Sequence, residues 1–559
     1  MFSLWIVLLL NIYSFNATAA KVTNLPPEII NKLIDANKGS TEHYDSTSGK
    51  LEMLDKVKLT YTYFVPKNLG DKKAPTVVMP CPWGWLAEVY LLTQIPQELA
   101  KEGFIVMMYT SRGFWDSEGL VDLGGPADVK DFKFVVDWME ANLPIDTDRL
   151  GTSGISFGAG MALNTLALDP RVKTAVALSS WAHLFDGGLF YGDAVNEKGL
   201  GELLATKGGP GDRKKGIEPV KKRISDLAKG VNFEQTRAWA NIRSPIFHID
   251  KINAKPGASV YIMHTYGDEM FSPNSLLNFY NGITIDKKIE FISGSHGVSH
   301  LLDYFARSGV KDRAIKWFHN QLGEQEQIEN GITLQVRQPL NRQNSKTKTK
   351  IKRRYETFSK IPAKNWTKEK FYFDTADGTL KLNSILPESD HSQTLYSDSQ
   401  PSVFPNQNLK TAFIFESITG VLVAEKLKDL PSTTLMYKTP RITEKMEVRG
   451  IAKLDLKLKS SSNRGLLVAY LFDLDSDGTL HLISSGRQSY TNQIPEDIFS
   501  LELELKIAAY DITPGNQLAV ILDTQANGIR SPEPDDYSIQ IVEGPDAPSY
   551  LEFHSKTSR

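Results

Sequence analysis

The stretch Asp148-Arg149-Leu150-Gly151-Thr152-Ser153-Gly154-Ile155-Ser156-Phe157-Gly158-Ala159-Gly160-Met161-Ala162 decides how this chain is read. It carries G-x-S-x-G at 154–158, after a short strand-like run and before a helix of small residues. In such a strand-to-helix turn the serine sits on strained backbone, and its hydroxyl projects above the sheet. Gly154 and Gly158 mark positions where neighbouring segments come too close for a Cβ. The start of the following helix, with the Phe157 backbone N–H, faces the space where a negative oxygen would develop.

Around this turn the chain has a regular rhythm. Apolar runs at 76–79, 104–109, 174–178, 259–263 and 289–292 read as buried strands. Helical spacing separates several of them, as in Val129, Phe132, Val135, Val136 and Met139 within 127–143. Strand and helix alternating over about 300 residues implies a parallel sheet covered by helices. An alternating strand at 57–65 precedes the rhythm, a helix is expected near 27–36, and 303–322 reads as the last helix. Residues 184–249 interrupt the pattern with Gly- and Lys-rich stretches. That insertion reads as a cap over a pocket or as an enlarged surface excursion.

A serine hydroxyl becomes a nucleophile when a base takes its proton, so an acid and a histidine are expected in the order Ser, Asp or Glu, His. Directly after the strand at 259–263 comes His264-Thr265-Tyr266-Gly267-Asp268-Glu269. Asp268 has the offset for a loop at a strand's C-terminal end; Glu269 is its rival. After the next strand comes Ser293-Gly294-Ser295-His296-Gly297. His296 again falls in a loop beyond a strand end, with His300 one turn further as the competitor. His183, His248 and His264 precede the acid and do not fit the order.

Arg112-Gly113-Phe114-Trp115-Asp116-Ser117-Glu118-Gly119 and the segments around Ser156, Asp268 and His296 resemble the X-prolyl dipeptidyl-peptidases and cocaine-esterase-like hydrolases. Leu471 to Gly478 resembles a turn of that family's jelly-roll domain. The resemblance covers nearly the whole chain after the N-terminus. It implies an α/β fold: an α/β-hydrolase domain with a helical cap insertion, followed by an all-β jelly-roll (galactose-binding-like) domain. It further implies serine hydrolysis of an amide or ester with no cofactor and no metal. Ser156 would be the nucleophile, Asp268 the acid and His296 the base. X-Pro dipeptide release is the leading expectation; an esterase or acylase with the same triad is the first alternative. A catalytically degenerate binding protein is the second. Where many members carry Pro-Tyr and use the tyrosine hydroxyl in the oxyanion hole, this chain has Pro82-Trp83-Gly84-Trp85. The expected oxyanion hole is Phe157 N–H with the Trp83 indole N–H or a backbone N–H in its place; alternatively Trp83, like Trp85, forms an aromatic wall of the pocket.

Composition sets the outer limits. The chain has 559 residues, 41% hydrophobic and 23% charged, so several folded domains are expected. With 64 basic against 66 acidic residues, there is no basic excess of the kind nucleic-acid binding needs. The basic stretch 342–354 reads as a solvated linker or edge strand. The single cysteine, Cys81, permits no intrachain disulfide and reads as a small buried hydrophobe. Asp473-x-Asp475-x-Asp477-Gly478 opens like a calcium loop, but Ser484 stands at the twelfth position, so a polar hairpin turn is the better reading.

The first 20 residues carry no charge and place Leu4 to Leu10 before Ala17-Thr18-Ala19-Ala20, the pattern of a cleaved export signal. That run is too short to span a bilayer, which takes about 20 apolar residues. The expectation is a secreted or periplasmic protein acting on a small peptide or ester, without stable membrane insertion; the sequence leaves its oligomeric state open. The expected division is signal 1–20, hydrolase domain 21–322 with the cap near 184–249, linker 323–365, and β-sandwich 366–559. Within the last, short strands are expected at 371–373, 412–415, 452–458, 465–472, 501–507, 517–522 and 537–542.

Overall fold

The structure, a computed structural model, describes residues 35, 37–191, 194–195, 217–228, 231–301, 309–323, 330–339, 353–376, 379–397, 403–404, 409–526, 531, 533 and 536–556. The expected signal 1–20, nearly all of the helix near 27–36 and most of the basic stretch 342–354 lie outside them. Among the described residues no helix is long and apolar enough to cross a membrane.

Ten strands form the first sheet: β1 (Tyr44–Glu52), β2 (Lys58–Pro66), β3 (Ala74–Pro80), β4 (Ile105–Tyr109), β5 (Ile145–Ile155), β6 (Val172–Leu178), β7 (Ser259–Thr265), β8 (Asp286–Ile292), β9 (Gly331–Val336) and β10 (Arg354–Phe358). Their order is β1-β2-β4-β3-β5-β6-β7-β8-β9-β10. From β4 through β9 all pairings are parallel, while β1, β2 and β10 join antiparallel at the edges. Helices covering both faces leave central strands such as β4 and β7 buried along their whole length. That is why they read as continuous apolar runs and not as alternation. The covering helices include α1 (Ile95–Lys101), α2 (Pro126–Asn142), α3 (Phe157–Leu168) and, further on, Val310–Leu322.

Between β6 and β7 the insertion contains a two-stranded hairpin (Phe190–Tyr191 with Ala194–Val195) and the helices α4 (Glu218–Ala228), α5 (Phe233–Asn241) and α6 (Ile249–Asn253). Residues 196–216 of it lie outside the described residues. Arg243 fastens the insertion to the core around the first sheet. Its Nε donates to the Asp122 carbonyl at 2.7 Å, and its guanidinium also pairs with the Asp122 carboxylate. The Arg243 carbonyl accepts from Trp181 Nε1 at 2.8 Å and Asn164 Nδ2 at 3.0 Å.

Two expectations need correcting. Residues 331–336 and 354–358, read as part of a linker, are strands of the first sheet. All six residues of β9 are buried, because Ile332, Leu334 and Val336 enter the core while the sheet continues over Gln335. Residues 412–415, read as a strand, belong to a helix, α9 below, at Leu409–Thr419. The apolar run is too short for its period to be read. The helix buries Phe413, Glu416 and Ser417, spacings of three and four residues that make one helical face.

The second sheet joins thirteen described strands between Thr367 and Ser555. One of its strands, Gly465–Leu474, is buried throughout. Leu467, Ala469 and Leu471 pack into one apolar cluster, while Leu466, Val468, Tyr470 and Phe472 pack into another on the opposite face. The second cluster includes Phe413 of the helix Leu409–Thr419. With α7 (Pro273–Gly282) and α8 (Val310–Leu322) assigned to the hydrolase side, that helix is α9.

Candidate active site

Ser156 follows β5 directly and caps α3, with φ 58° and ψ −117°. Positive φ on a non-glycine residue is strained and persists only where the surroundings impose it. Here the surroundings are tight. A Cβ on Gly154 would lie 2.2 Å from the Gly158 carbonyl carbon, and one on Gly158 would lie 2.3 Å from the Pro80 oxygen. Tyr90 locks the same point: its hydroxyl donates to the Pro80 carbonyl at 2.7 Å and accepts from Ile155 N–H at 3.1 Å. The glycines thus allow the end of β3 to pack against the first turn of α3.

Asp268 lies in the loop between β7 and α7, and His296 in the loop after β8, so both stand at C-terminal strand ends beside Ser156. His296 Nδ1 is 2.7 Å from Asp268 Oδ2, and His296 Nε2 is 2.7 Å from Ser156 Oγ. An ionised Asp268 only accepts, so Nδ1 carries the proton and bare Nε2 faces the serine hydroxyl. Asp268 Oδ1 accepts from the backbone N–H groups of Met270 and Phe271, both at 2.9 Å. Burial alone would raise the carboxyl's pKa, but His296, His264 and these hydrogen bonds hold it below the ordinary carboxylate range.

The two rivals are placed elsewhere. Glu269 Oε2 accepts from His296 backbone N–H at 3.4 Å, while Oε1 lies 3.7 Å from Lys410 Nζ. His300 is buried in the short helix Val298–Leu301. His264 sits on β7 with its Nε2 3.4 Å from Asp268 Oδ2 and 3.3 Å from the Phe271 carbonyl oxygen. Burial pushes its pKa down to about 4.

Phe157 is the first residue of α3, where a backbone N–H has no acceptor within the helix. Its ring meets Trp83 edge-on at 6.0 Å between centroids, and Trp83 meets Phe114 at 5.1 Å. Trp83 is buried, and among the described residues its indole N–H has no hydrogen-bond partner. Trp85 is half-buried against the hydrolase core. Arg112, which opens the motif at 112–119, is occupied structurally. It forms a two-pronged pair with Asp131 of α2 at 2.7 and 2.6 Å and reaches Asp55 at 3.1 Å. Cys81 is buried, its thiol pushed up to about 12 by burial, and Ser111 N–H donates to its sulfur.

The acidic turn has its carboxylates committed. Asp475 accepts from the N–H groups of Asp477 and Thr479, and Asp473 accepts from Tyr510 and Asn516 side chains. Among the described residues no group of three His, Cys, Asp or Glu side chains is arranged to hold a metal ion.

Three contributors carried no sequence signal. Ser179, after β6, has φ 52° and its hydroxyl accepts from Gly297 N–H at 3.1 Å, fixing the histidine loop. His264 borders the acid from β7. Lys506, from the β-rich domain, donates to the Asp268 main-chain oxygen at 2.6 Å.

Comparison with known proteins agrees with this architecture. Residues 55–298 match the family model of the X-Pro dipeptidyl-peptidase (S15 family), and residues 333–552 that of the X-Pro dipeptidyl-peptidase C-terminal non-catalytic domain. The Xaa-Pro dipeptidyl-peptidase of Ligilactobacillus salivarius is 22% identical over 448 residues, 74% of this chain and 52% of that protein. A CocE/NonD family hydrolase from Staphylococcus aureus shares the fold with a TM-score of 0.67 at 14% identity, over 92% of this chain and 93% of that one. An α-amino acid ester hydrolase superposes with a TM-score of 0.69 at 16% identity, over 92% and 97% of the two chains.

Proposed function

Because the chain belongs to the X-Pro dipeptidyl-peptidase (S15) family of serine hydrolases, we propose that it releases X-Pro dipeptides, cleaving the bond that follows the proline, through Ser156, His296 and Asp268. The observation that carries this reading is the pair of 2.7 Å hydrogen bonds linking Ser156 Oγ to His296 and His296 to Asp268. As Ser156 Oγ attacks the scissile carbonyl, its proton passes to His296 Nε2. Asp268 steadies the imidazolium and keeps the ring turned toward the serine. His296 then protonates the leaving amine, leaving an acyl group on Ser156. Water attacks that ester with His296 as base, which releases the acid and restores the hydroxyl. Phe157 N–H, at the positive end of α3, is one donor to the developing oxyanion. The unpartnered Trp83 indole N–H is the candidate for the second, and Trp85 lines the approach.

Two assays test this. A fluorophosphonate probe should label the wild type and not Ser156→Ala; equal labelling of both defeats the assignment. Gly-Pro-p-nitroanilide should then be turned over as well as p-nitrophenyl acetate. Turnover of the ester alone rejects the peptidase reading in favour of an esterase or acylase using the same three residues. We also infer export directed by residues 1–20. N-terminal sequencing of the mature protein tests it, with a start near Lys21 expected and a retained Met1 counting against it.

A further inference from the structure

The acid loop does not rest on the hydrolase domain alone. Lys506 follows the strand Phe499–Glu504 of the β-rich domain and donates from Nζ to the Asp268 carbonyl oxygen at 2.6 Å. One turn along the same loop, Asn274 of α7 is held by the same segment. Its Nδ2 donates to the Leu505 carbonyl at 2.9 Å, and its Oδ1 accepts from Ile507 N–H at 2.8 Å. Lys506 is itself fixed at its backbone. Ser484 Oγ donates to its carbonyl at 2.5 Å, and its N–H donates to the Ser485 carbonyl at 3.0 Å. The helix α9 presses on the loop from the other side, since a Cβ on Gly267 would lie 2.2 Å from the Phe413 ring.

We propose that Lys506 is a positioning residue, through which the β-rich domain sets the placement of Asp268 and the charge felt by the Asp268–His296 pair. The proposal rests on the triad assignment above. This charge-assisted hydrogen bond fixes the main chain of the residue that must accept from His296. The ammonium also contributes a positive charge close to the acid. Burial and Arg487 push it down to about 8, while Asp268 and Glu269 pull it upward. His264 of β7 also feels it, and Lys410, Arg337, Glu416 and Glu504 are further charges at this domain junction. A cation here favours the ionised form of Asp268, so its removal should let the acid take up a proton at higher pH.

The test is Lys506→Met beside Lys506→Arg, each assayed for kcat and KM across pH with a substrate the wild type turns over. Lys506→Met should lower kcat roughly 10-fold or more, leave KM within about twofold, and move the acid limb of kcat/KM to higher pH by about half a unit or more. Lys506→Arg, which keeps the charge, should leave that limb in place. A folded Lys506→Met enzyme with wild-type kcat and a superimposable pH profile overturns the proposal. Should Lys506→Met fail to fold, Ser484→Ala loosens Lys506 while keeping its charge. It should lower kcat with the acid limb unmoved, and unchanged kcat overturns the proposal. Failure of the triad reading is distinct, because then the wild type itself is not labelled at Ser156.

Discussion

His264 and His296 approach the same oxygen of one carboxylate: Asp268 Oδ2 lies 2.7 Å from His296 Nδ1 and 3.4 Å from His264 Nε2. Both neighbours of His264 Nε2 are acceptors, so that nitrogen carries the proton and the ring is neutral at physiological pH. The Asp268 carboxylate is therefore held from the Ser156–His296 side and from the sheet beneath it.

Removing that second contact should weaken the support of Asp268 without dismantling it. His264→Leu is expected to lower kcat by about 3- to 10-fold, because its 3.4 Å contact with Asp268 is electrostatic while its hydrogen bond goes to the Phe271 carbonyl. Steady-state kinetics check it, and an unchanged kcat removes His264 from the acid's support.

The same histidine gives a pH signature. Its native pKa is about 4, below the ordinary value near 6.5, so between these values the unfolded chain takes up a proton that the native protein does not. Its contribution to stability is complete above about pH 6.5 and is lost as pH falls toward 4. The melting temperature of His264→Leu should fall less steeply over that window than that of the wild type.

Asp128 titrates with the opposite sense. Burial, then the charges of Asp122 and Asp131, raise its carboxyl to about 8. The native protein thus holds a proton that the unfolded chain has released above about pH 4, and stability declines as pH rises from there to about 8. Asp128→Asn keeps an acceptor for Gly124 N–H, which Asp128 Oδ2 now binds at 2.8 Å, and cannot ionise. Its melting temperature should exceed that of the wild type by a few degrees, roughly, at pH 8.5. The difference should shrink toward pH 5; a constant gap across pH refutes the assignment.

Gly158→Ala should damage fold and site together. The added Cβ would meet the Pro80 oxygen at 2.3 Å and the Tyr90 hydroxyl at 2.5 Å, both parts of the lock on the elbow. Overpacking of this kind costs about 1–3 kcal/mol. Thermal unfolding should show the loss, and fluorophosphonate labelling should slow.

Beneath the site, Arg337 and Glu416 form a pair buried on both sides. Its two bonds measure 2.7 and 2.9 Å, and the guanidinium also donates to the Leu482 and Ile483 carbonyls. Arg337 follows β9 of the first sheet, and its N–H donates to the Ala509 carbonyl in the second. Glu416→Ala leaves the guanidinium buried without its counter-charge, which costs about 3–5 kcal/mol. The expected outcome is a clear drop in melting temperature and, because the acid loop rests on the same junction, in activity.

Much of this was legible in the chain because it depends on neighbours in sequence. The G-x-S-x-G turn announces itself because only glycine tolerates contacts of 2.2 and 2.3 Å at 154 and 158. Continuous apolar runs such as 259–263 mark strands covered on both faces. The run at 412–415 misled because four residues do not separate a period of two from one of 3.6. The strand at 331–336 was overlooked because its partners lie outside the run itself.

By itself, then, the sequence determined the alternation of strands and helices, the strained serine turn, and the loops from which an acid and a histidine would come. All of these follow from local backbone preference and burial. Only the tertiary structure decided that Asp268 and not Glu269 faces His296, that His264 and Ser179 brace the two loops, and that Lys506 reaches the acid from 238 residues away. Those choices depend on which way each side chain points once two sheets and the helices between them are packed. A hydrogen bond across such a distance in sequence leaves no period or local pattern to read.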